Sequence, residues 1–228
     1  MYTQQQIKAL LDGGMIPIDQ DNIIKKGLFT KQDGSSVAYD IYCGWDFSLA
    51  RACDREWGLY NIKLMEFIEE QEYDSQTLTN VLDQVQLDDS HWDWLGKSIA
   101  YHTNEYVWFF VVADGKPQGA CLIYHPQKSA TCANNIFYVE YVAVAPWNRK
   151  NPISERMFCG IGSILIKTAI MHATAVLRLK HGFSLHALEK AAPFYLKIGM
   201  TPHPGLDKPR LQYFEMPETT AVEYLTKP

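Results

Sequence analysis

The sequence lacks several features that would place a protein in a special class. No apolar stretch is long enough to span a bilayer, and no basic start is followed by the apolar run of a secretion signal. Repeats and low-complexity tracts are also missing from the 228 residues. We therefore expect a globular domain of the cytoplasm that does not associate with a membrane.

The cysteines are too few and too irregular for a disulfide framework or a zinc site. Their number is odd, no C-x-x-C spacing occurs, and we expect free thiols at Cys43, Cys53, Cys121, Cys132 and Cys159. The segment from Asp88 to Asp93 brings carboxylates and a histidine together, but it lacks the ligand spacing of known metal sites. A helix start followed by core-facing tryptophans explains it as well, and we predict no metal.

The charge balance argues against nucleic acid as a partner. With 21 basic and 26 acidic side chains, the formal net charge is −5 and the pI about 5.8. Such a surface has no general attraction to nucleic acid or anionic lipid, and it mildly favours cationic substrates such as amines. No basic recognition helix supports a DNA-binding regulator in the N-terminal half.

The first half of the chain has clear local signals. Thr3 and Gln6 fit a capping box whose short helix would end at Gly13-Gly14, and residues 28–30 and 37–42 flank a turn typical of a hairpin. Residues 47–100 have a helical pattern with Ser75 as a candidate cap. The apolar residues expected in buried helical stripes are Leu59, Ile62, Leu64, Met65, Phe67, Ile68, Leu78, Val81, Leu82 and Val85.

The second half alternates strands with helices. Residues 106–112 and 118–124 predict a hairpin, and residues 136–146 form a largely apolar run that ends at a proline. A helical segment at 164–177 follows, then short strands at 183–188 and 211–216, and a last helix after Pro217. Helices around a mixed sheet give an α/β or α+β class.

A glycine pair precedes the helix that follows the long strand. Gly160 and Gly162 let the backbone approach a ligand closely, and the N–H groups at the helix start point outward. The amides from Cys159 to Ser163 could therefore hold a phosphate, with Arg156, Arg149 or Lys150 adding a cation. Glycine pairs are common, so a plain loop-to-helix connection is the alternative.

The order of these elements resembles the GNAT superfamily of acyl-CoA-dependent N-acetyltransferases. The similarity covers roughly residues 104–216, and its most specific part is Phe194-Tyr195-Leu-Lys-Ile-Gly199-Met200 after a short strand. The family usually carries Arg or Gln three residues before the first glycine, where this chain has Met157 beside Arg156. The loop from Pro146 to Gly160 is also longer than is usual in the family.

The resemblance implies a fold and a set of site residues. The sheet would be mixed and mostly antiparallel, flanked by helices, with two central strands that splay apart and hold the pantetheine arm. Residues 101–228 would form the acyltransferase core, and residues 1–100 a helical and hairpin elaboration packed on it in one structural domain. The residues implied to bind acetyl-CoA are Val142, Ala143, Val144, Arg156, Met157, Cys159, Gly160, Ile161, Gly162, Ser163 and Phe194.

The resemblance also implies a direct transfer of the acetyl group to a primary amine, which releases CoA. Tyr195 matches the family's frequent general acid, although it could also be an aromatic packing residue. Glu140 is a lone carboxylate in an apolar strand, so its pKa should be raised and suit a general base. A strand-end ion pair is the alternative for Glu140.

The sequence leaves other functions open. A covalent acyl-enzyme through Cys159 has no recognisable histidine partner. A non-catalytic sensor that binds acyl-CoA is the rival from another class, and the missing cation at Met157 leaves room for it. The expected partners are acyl-CoA and an amine, either a small molecule or a protein amine, and the sequence leaves a homodimer open.

Overall fold

The structure is a computed structural model, and it describes residues 3–227. The helices are α1 (Gln4–Asp12), α2 (Phe47–Glu70), α3 (Ser75–Gln84), α4 (Trp94–Ala100), α5 (Ile161–Ala175), α6 (Ala192–Lys197) and α7 (Glu218–Thr226). The strands are β1 (Ile23–Thr30), β2 (Ser36–Cys43), β3 (Tyr106–Ala113), β4 (Lys116–Lys128), β5 (Asn135–Val144), β6 (Phe183–Leu188), β7 (Thr201–Pro202) and β8 (Leu211–Met216). None of these helices is long and apolar enough to cross a membrane.

The strands belong to one mixed sheet in the order β1-β2-β3-β4-β5-β6-β8-β7. Strands β1, β2 and β3 pair antiparallel, as do β6, β8 and β7, whereas β5 and β6 pair parallel. The predicted class, a mostly antiparallel mixed sheet flanked by helices, is confirmed. The chain divides into two compact units, and the boundary predicted near residue 100 stays a prediction.

The first unit contains the chain up to His102 together with Trp108–Ala120 and Ala143–Ile161. Its capping box at Thr3 and its β1–β2 hairpin are as predicted. Helix α2 buries one stripe, at Leu49, Ala50, Cys53, Trp57, Leu64 and Ile68. Beside it, Leu64, Ile68 and Val85 form a small core on which Leu78 and Val81 pack.

Part of the stripe predicted on α2 and α3 is wrong. Leu59, Ile62 and Met65 are 53%, 57% and 45% exposed, because the buried face of α2 is set by Trp57, Leu64 and Ile68 instead. Leu82 on α3 is also exposed. The cap of α3 is Asp74, whose carboxylate accepts from the Thr77 N–H at 2.7 Å, and the predicted cap Ser75 is the first helical residue.

The second unit contains Thr103–Val107, Cys121–Val142 and the chain from Gly162 onward. One face of its β6 carries Phe183 and Leu185, and the Phe183 ring stacks on Phe137 of β5 at 5.2 Å between centroids. Glu215 on β8 is only 2% exposed, and its carboxylate accepts hydrogen bonds from Ser129, Ala130 and Thr131. That network fixes the loop between β4 and β5 to β8.

Candidate functional site

The first part of the candidate site is the start of α5. The helix begins at Ile161, and the preceding Gly160 has φ +80°, a left-handed conformation that glycine adopts without strain. The N–H groups of the first helical turn have no partner within a helix and point outward from its end. The helix predicted at 164–177 therefore begins three residues earlier, at Ile161, with Gly162 inside its first turn, and ends at Ala175.

A buried hydrogen-bond network fixes the loop that leads to Gly160. The Gln118 side-chain oxygen accepts from Trp147 Nε1 and from Asn148 Nδ2, both at 2.8 Å. The Asn148 side-chain oxygen in turn accepts from the Phe158 N–H at 2.9 Å. Because Phe158 also stacks on Phe29 at 4.6 Å, the chain is anchored two residues before Gly160.

The cations of this loop differ in their availability. Arg149 forms two 2.6 Å hydrogen bonds with the Asp89 carboxylate and donates to the Val144 carbonyl at 2.7 Å, so it is committed within the protein. Arg156 and Lys150 instead line an open cavity of about 520 Å³. Met157 is 43% exposed and supplies no charge. Of the three cations proposed from the sequence, Arg149 is thus already paired, and the role of each toward a phosphate stays a prediction.

The second part of the site is a break in the pairing between β5 and β6. The parallel register runs from Phe137 opposite Phe183 to Val139 opposite Leu185 and ends there. Both strands continue, β5 through Val142 and beyond, and β6 to Leu188, where it still pairs with Leu211 of β8. The β5–β6 register thus ends before either strand does.

The backbone hydrogen bonds at the two ends of β5 follow different alternation. Directly after β5, Ala145 donates its N–H to the Gln118 carbonyl on β4 at 2.9 Å. Just before β5, the Asn134 carbonyl accepts from the Ser129 N–H on the side of β4, and at the first residue of β5 the Asn135 carbonyl accepts from the Lys180 N–H on the side of β6. Alternation counted from the two ends therefore turns the Val142 N–H to opposite sides, and its role as a donor stays a prediction.

Tyr195 lies on the face of the sheet that carries Leu185. Its ring is 6.0 Å from that of Phe214, which pairs with Leu185 across β6 and β8. Tyr195 is 6% exposed, and burial raises the pKa of its hydroxyl, so the group stays protonated at neutral pH. Phe194 packs against Tyr195 edge to face, and a third of its surface is exposed.

Glu140 lies on the opposite face. It follows Val139, which pairs with Leu185, and alternation turns its side chain to the side of Tyr138. Burial raises the pKa of Glu140, and the ammonium of Lys208 partly opposes the shift. The raised pKa predicted from its apolar surroundings is present, and no ion pair within 4.0 Å involves Glu140 among the described side chains.

Sequence reasoning missed a hydrogen-bonded chain beside Glu140. The carbonyl of Leu206 can only accept, so His186 donates to it from Nε2 at 2.9 Å, and its Nδ1 then accepts from the Tyr138 hydroxyl at 2.6 Å. Burial lowers the pKa of His186, which favours this neutral ring. Lys208 lies above the Tyr138 ring at 5.9 Å. Only the position of His186 on β6 hinted at this cluster.

The remaining sequence predictions concern cysteines and metals. All five cysteines are free, as predicted. Across residues 3–227, no three His, Cys, Asp or Glu side chains are placed to hold a metal ion.

Comparison with known proteins gives similarity in structure but not in sequence. No protein-family model matches the chain, and no curated protein matches its sequence. An uncharacterised protein from Bacillus halodurans superposes with a TM-score of 0.51 at 7% identity, over 90% of this chain and 96% of that one. At that identity, the similarity shows a shared fold.

Two further similar structures carry functional descriptions. The GNAT domain of S. lividans PAT has a TM-score of 0.48 at 11% identity, over 84% of this chain and 96% of that one. The PaiA N-acetyltransferase from Thermoplasma acidophilum was solved in complex with coenzyme A. It has a TM-score of 0.43 at 10% identity, over 77% of this chain and 97% of that one.

Proposed function

We propose that the protein is an acyl-CoA-dependent N-acyltransferase that moves an acetyl group from acetyl-CoA to a primary amine. The observation that carries this proposal is the end of β5–β6 pairing at Val139 and Leu185, because two neighbouring strands that stop pairing can separate inside a sheet. An amide-bearing arm such as pantetheine can enter such a separation and hydrogen-bond along a strand edge as a strand would.

The start of α5 would bind the pyrophosphate. Outward N–H groups and the helix dipole favour an anion there, and the amides from Cys159 to Ser163, including Ile161 and Gly162, are the proposed donors. Arg156 is the proposed cation, with Met157 contributing contact alone. Along β5, Val142, Ala143 and Val144 would line the arm, and Phe194 would pack beside it.

The chemistry needs a neutral amine, a donor for the oxyanion and a proton for the departing thiolate. Glu140 would accept a proton from the ammonium of the acceptor, directly or through water. The amine would then attack the thioester carbonyl, whose oxygen is stabilised by the Val142 N–H. Collapse then breaks the C–S bond while Tyr195 gives its proton to the sulfur, and the nitrogen loses its second proton, which restores the Tyr195 hydroxyl and leaves the neutral amide and CoA.

Binding and turnover test this proposal together. Acetyl-CoA should raise the melting temperature of the protein, and Gly162→Glu should abolish that rise by placing bulk and negative charge at the pyrophosphate. A panel of amines should then produce free thiol only when enzyme, acetyl-CoA and amine are all present. Stabilisation without amine-dependent thiol release would identify an acyl-CoA sensor, and no stabilisation would remove the cofactor site.

A further inference from the structure

A second cavity lies in the first unit, and it shares no residue with the proposed acyl-CoA site. Its volume is about 250 Å³. One wall is a stripe of α2 formed by Asp54, Gly58 and Asn61, which are spaced one helical turn apart and therefore share a face. The segment from Asp89 to Trp94 lies on another side.

Gly58 leaves space that the protein itself does not use. It lies in the middle of the 24-residue helix α2, where glycine is a poorer choice than alanine. A Cβ at this position would meet no atom within 4 Å, so packing within the described chain does not require the glycine. Its effect is to keep the wall of the cavity open.

Asn61 presents an unsatisfied acceptor. Its Oδ1 is shielded from solvent and accepts no hydrogen bond from any residue between 3 and 227. A buried polar atom without a partner is costly, and a ligand with an N–H group would satisfy it.

The surroundings favour a cation over an anion. Asp54 accepts from the N–H groups of Trp94 and Leu95, and Asp93 accepts from that of Gly96, so both carboxylates are held at the cavity. The Arg149 charge is already matched by Asp89, which leaves Lys8 as the one other cation of the lining.

Aromatic rings complete the lining. Trp57 and Trp94 meet edge to face at 5.5 Å, and Trp92 meets Trp94 at 5.8 Å. Indole faces attract ammonium groups, and the protein itself places Lys97 over Trp92 at 5.6 Å.

From these observations, we infer that the cavity binds a small organic cation bearing N–H groups, such as a primary alkylammonium or a guanidinium. The carboxylates supply the charge, the indoles cover the apolar part, and Asn61 accepts one N–H. This inference does not depend on the proposed acyl transfer.

The test is a titration of the full chain, without acyl-CoA, followed by the ¹H–¹⁵N signals of the tryptophan indoles. The probe is n-butylammonium, with n-butanol and butyrate as neutral and anionic counterparts of similar size. We expect saturable shifts of the Trp92 and Trp94 signals with n-butylammonium and at least tenfold weaker binding of the other two. Equal binding of n-butanol, or no saturable shift, would overturn the inference.

Two variants locate the binding. Gly58→Met should fill the cavity and weaken n-butylammonium binding at least tenfold, and it should fold normally because methionine is a better helix former. Asn61→Leu should weaken binding by removing the acceptor, whereas Asn80→Leu, a matched change on the exposed face of α3, should not. Unchanged binding in Gly58→Met would contradict the assignment, whatever Asn61→Leu does.

Discussion

Glu140 and Tyr195 lie on opposite faces of the sheet of the second unit. The Tyr195 ring packs near Phe214, whose partner Leu185 pairs with Val139, and Glu140 is the next residue along β5. A proton acceptor and a proton donor placed in this way can reach one thioester only if it lies between the strands. The end of β5–β6 pairing at Val139 provides such a place.

Tyr195→Phe should lower turnover and spare acetyl-CoA affinity. A positioned general acid speeds the reaction by about 10²–10⁴-fold. Because a leaving thiolate needs less protonation than a leaving amine, we expect kcat to fall by about 10²-fold. Steady-state kinetics and a separate acetyl-CoA titration check this. Tyr124→Phe, a half-buried tyrosine whose hydroxyl has no part in the proposal, is the matched control. A wild-type rate would make Tyr195 a packing residue.

The pH dependence should report on Glu140. A base works when deprotonated, so the rate falls as the pH falls through its pKa, and burial has raised that pKa. Lys208 opposes the shift, so Lys208→Ala should raise the pKa of Glu140 further and move the acid limb to higher pH.

The measurement is kcat/KM against pH for the wild type and for Glu140→Gln, Lys208→Ala and Lys197→Ala. Glu140→Gln should remove the acid limb together with most of the activity, and the exposed Lys197 serves as the charge control. An acid limb that stays in place in Lys208→Ala and survives in Glu140→Gln would assign the base to another group.

Asn148→Ala should weaken acetyl-CoA binding while changing kcat little. The change leaves the Phe158 N–H buried without its acceptor and loosens the chain two residues before Gly160. An unsatisfied buried donor costs about 1–3 kcal/mol, so we expect about a tenfold rise in Kd. Calorimetric titration measures it, with the exposed Asn80→Ala as control. An unchanged Kd would show that this network supports the fold but not the cofactor loop.

Glu215→Gln should destabilise the fold in a way that depends on pH. Burial alone would raise the pKa of Glu215, but donors from Ser129, Ala130 and Thr131 outweigh it and hold the pKa below its usual 4.5. Its stabilisation is therefore present above that value and lost as the pH falls through the lowered folded-state pKa.

We expect Glu215→Gln to reduce the free energy of unfolding by about 1.5–3 kcal/mol at neutral pH, because the donors lose a charged acceptor. The difference from wild type should shrink in acid. Urea unfolding of both proteins at neutral pH and at acidic pH checks this, with Glu223→Gln at an exposed position as the control. A difference that is equal at both pH values would mean that the charge of Glu215 is not what the donors bind.

The sequence predicted those elements whose local signals agree with their packing. The strands Phe183–Leu188 and Leu211–Met216 and the start of α5 near its glycines appear where they were expected. The buried stripe of α2 failed at Leu59 and Ile62, because apolar residues cover more than one face of that helix and only tertiary packing selects the buried one.

The candidate site was predictable only in part, for a similar reason. Glycines, the Phe-Tyr pair and a lone strand carboxylate have local signals, so Gly160, Tyr195 and Glu140 could be proposed from the sequence. The commitment of Arg149 to Asp89, 60 residues away, has no local signal. The same holds for the contact of Lys208 with Tyr138, which joins a polar loop to a distant strand.

A crystal structure of the protein with bound CoA tests the central claim most directly. We predict pyrophosphate oxygens within hydrogen-bonding distance of the amides between Cys159 and Ser163, and the sulfur between β5 and β6 near Val142 and Tyr195. Density for CoA at any other place would contradict the claim, and so would continuous hydrogen bonding of β6 to β5 as far as Leu188 with no opening between the strands.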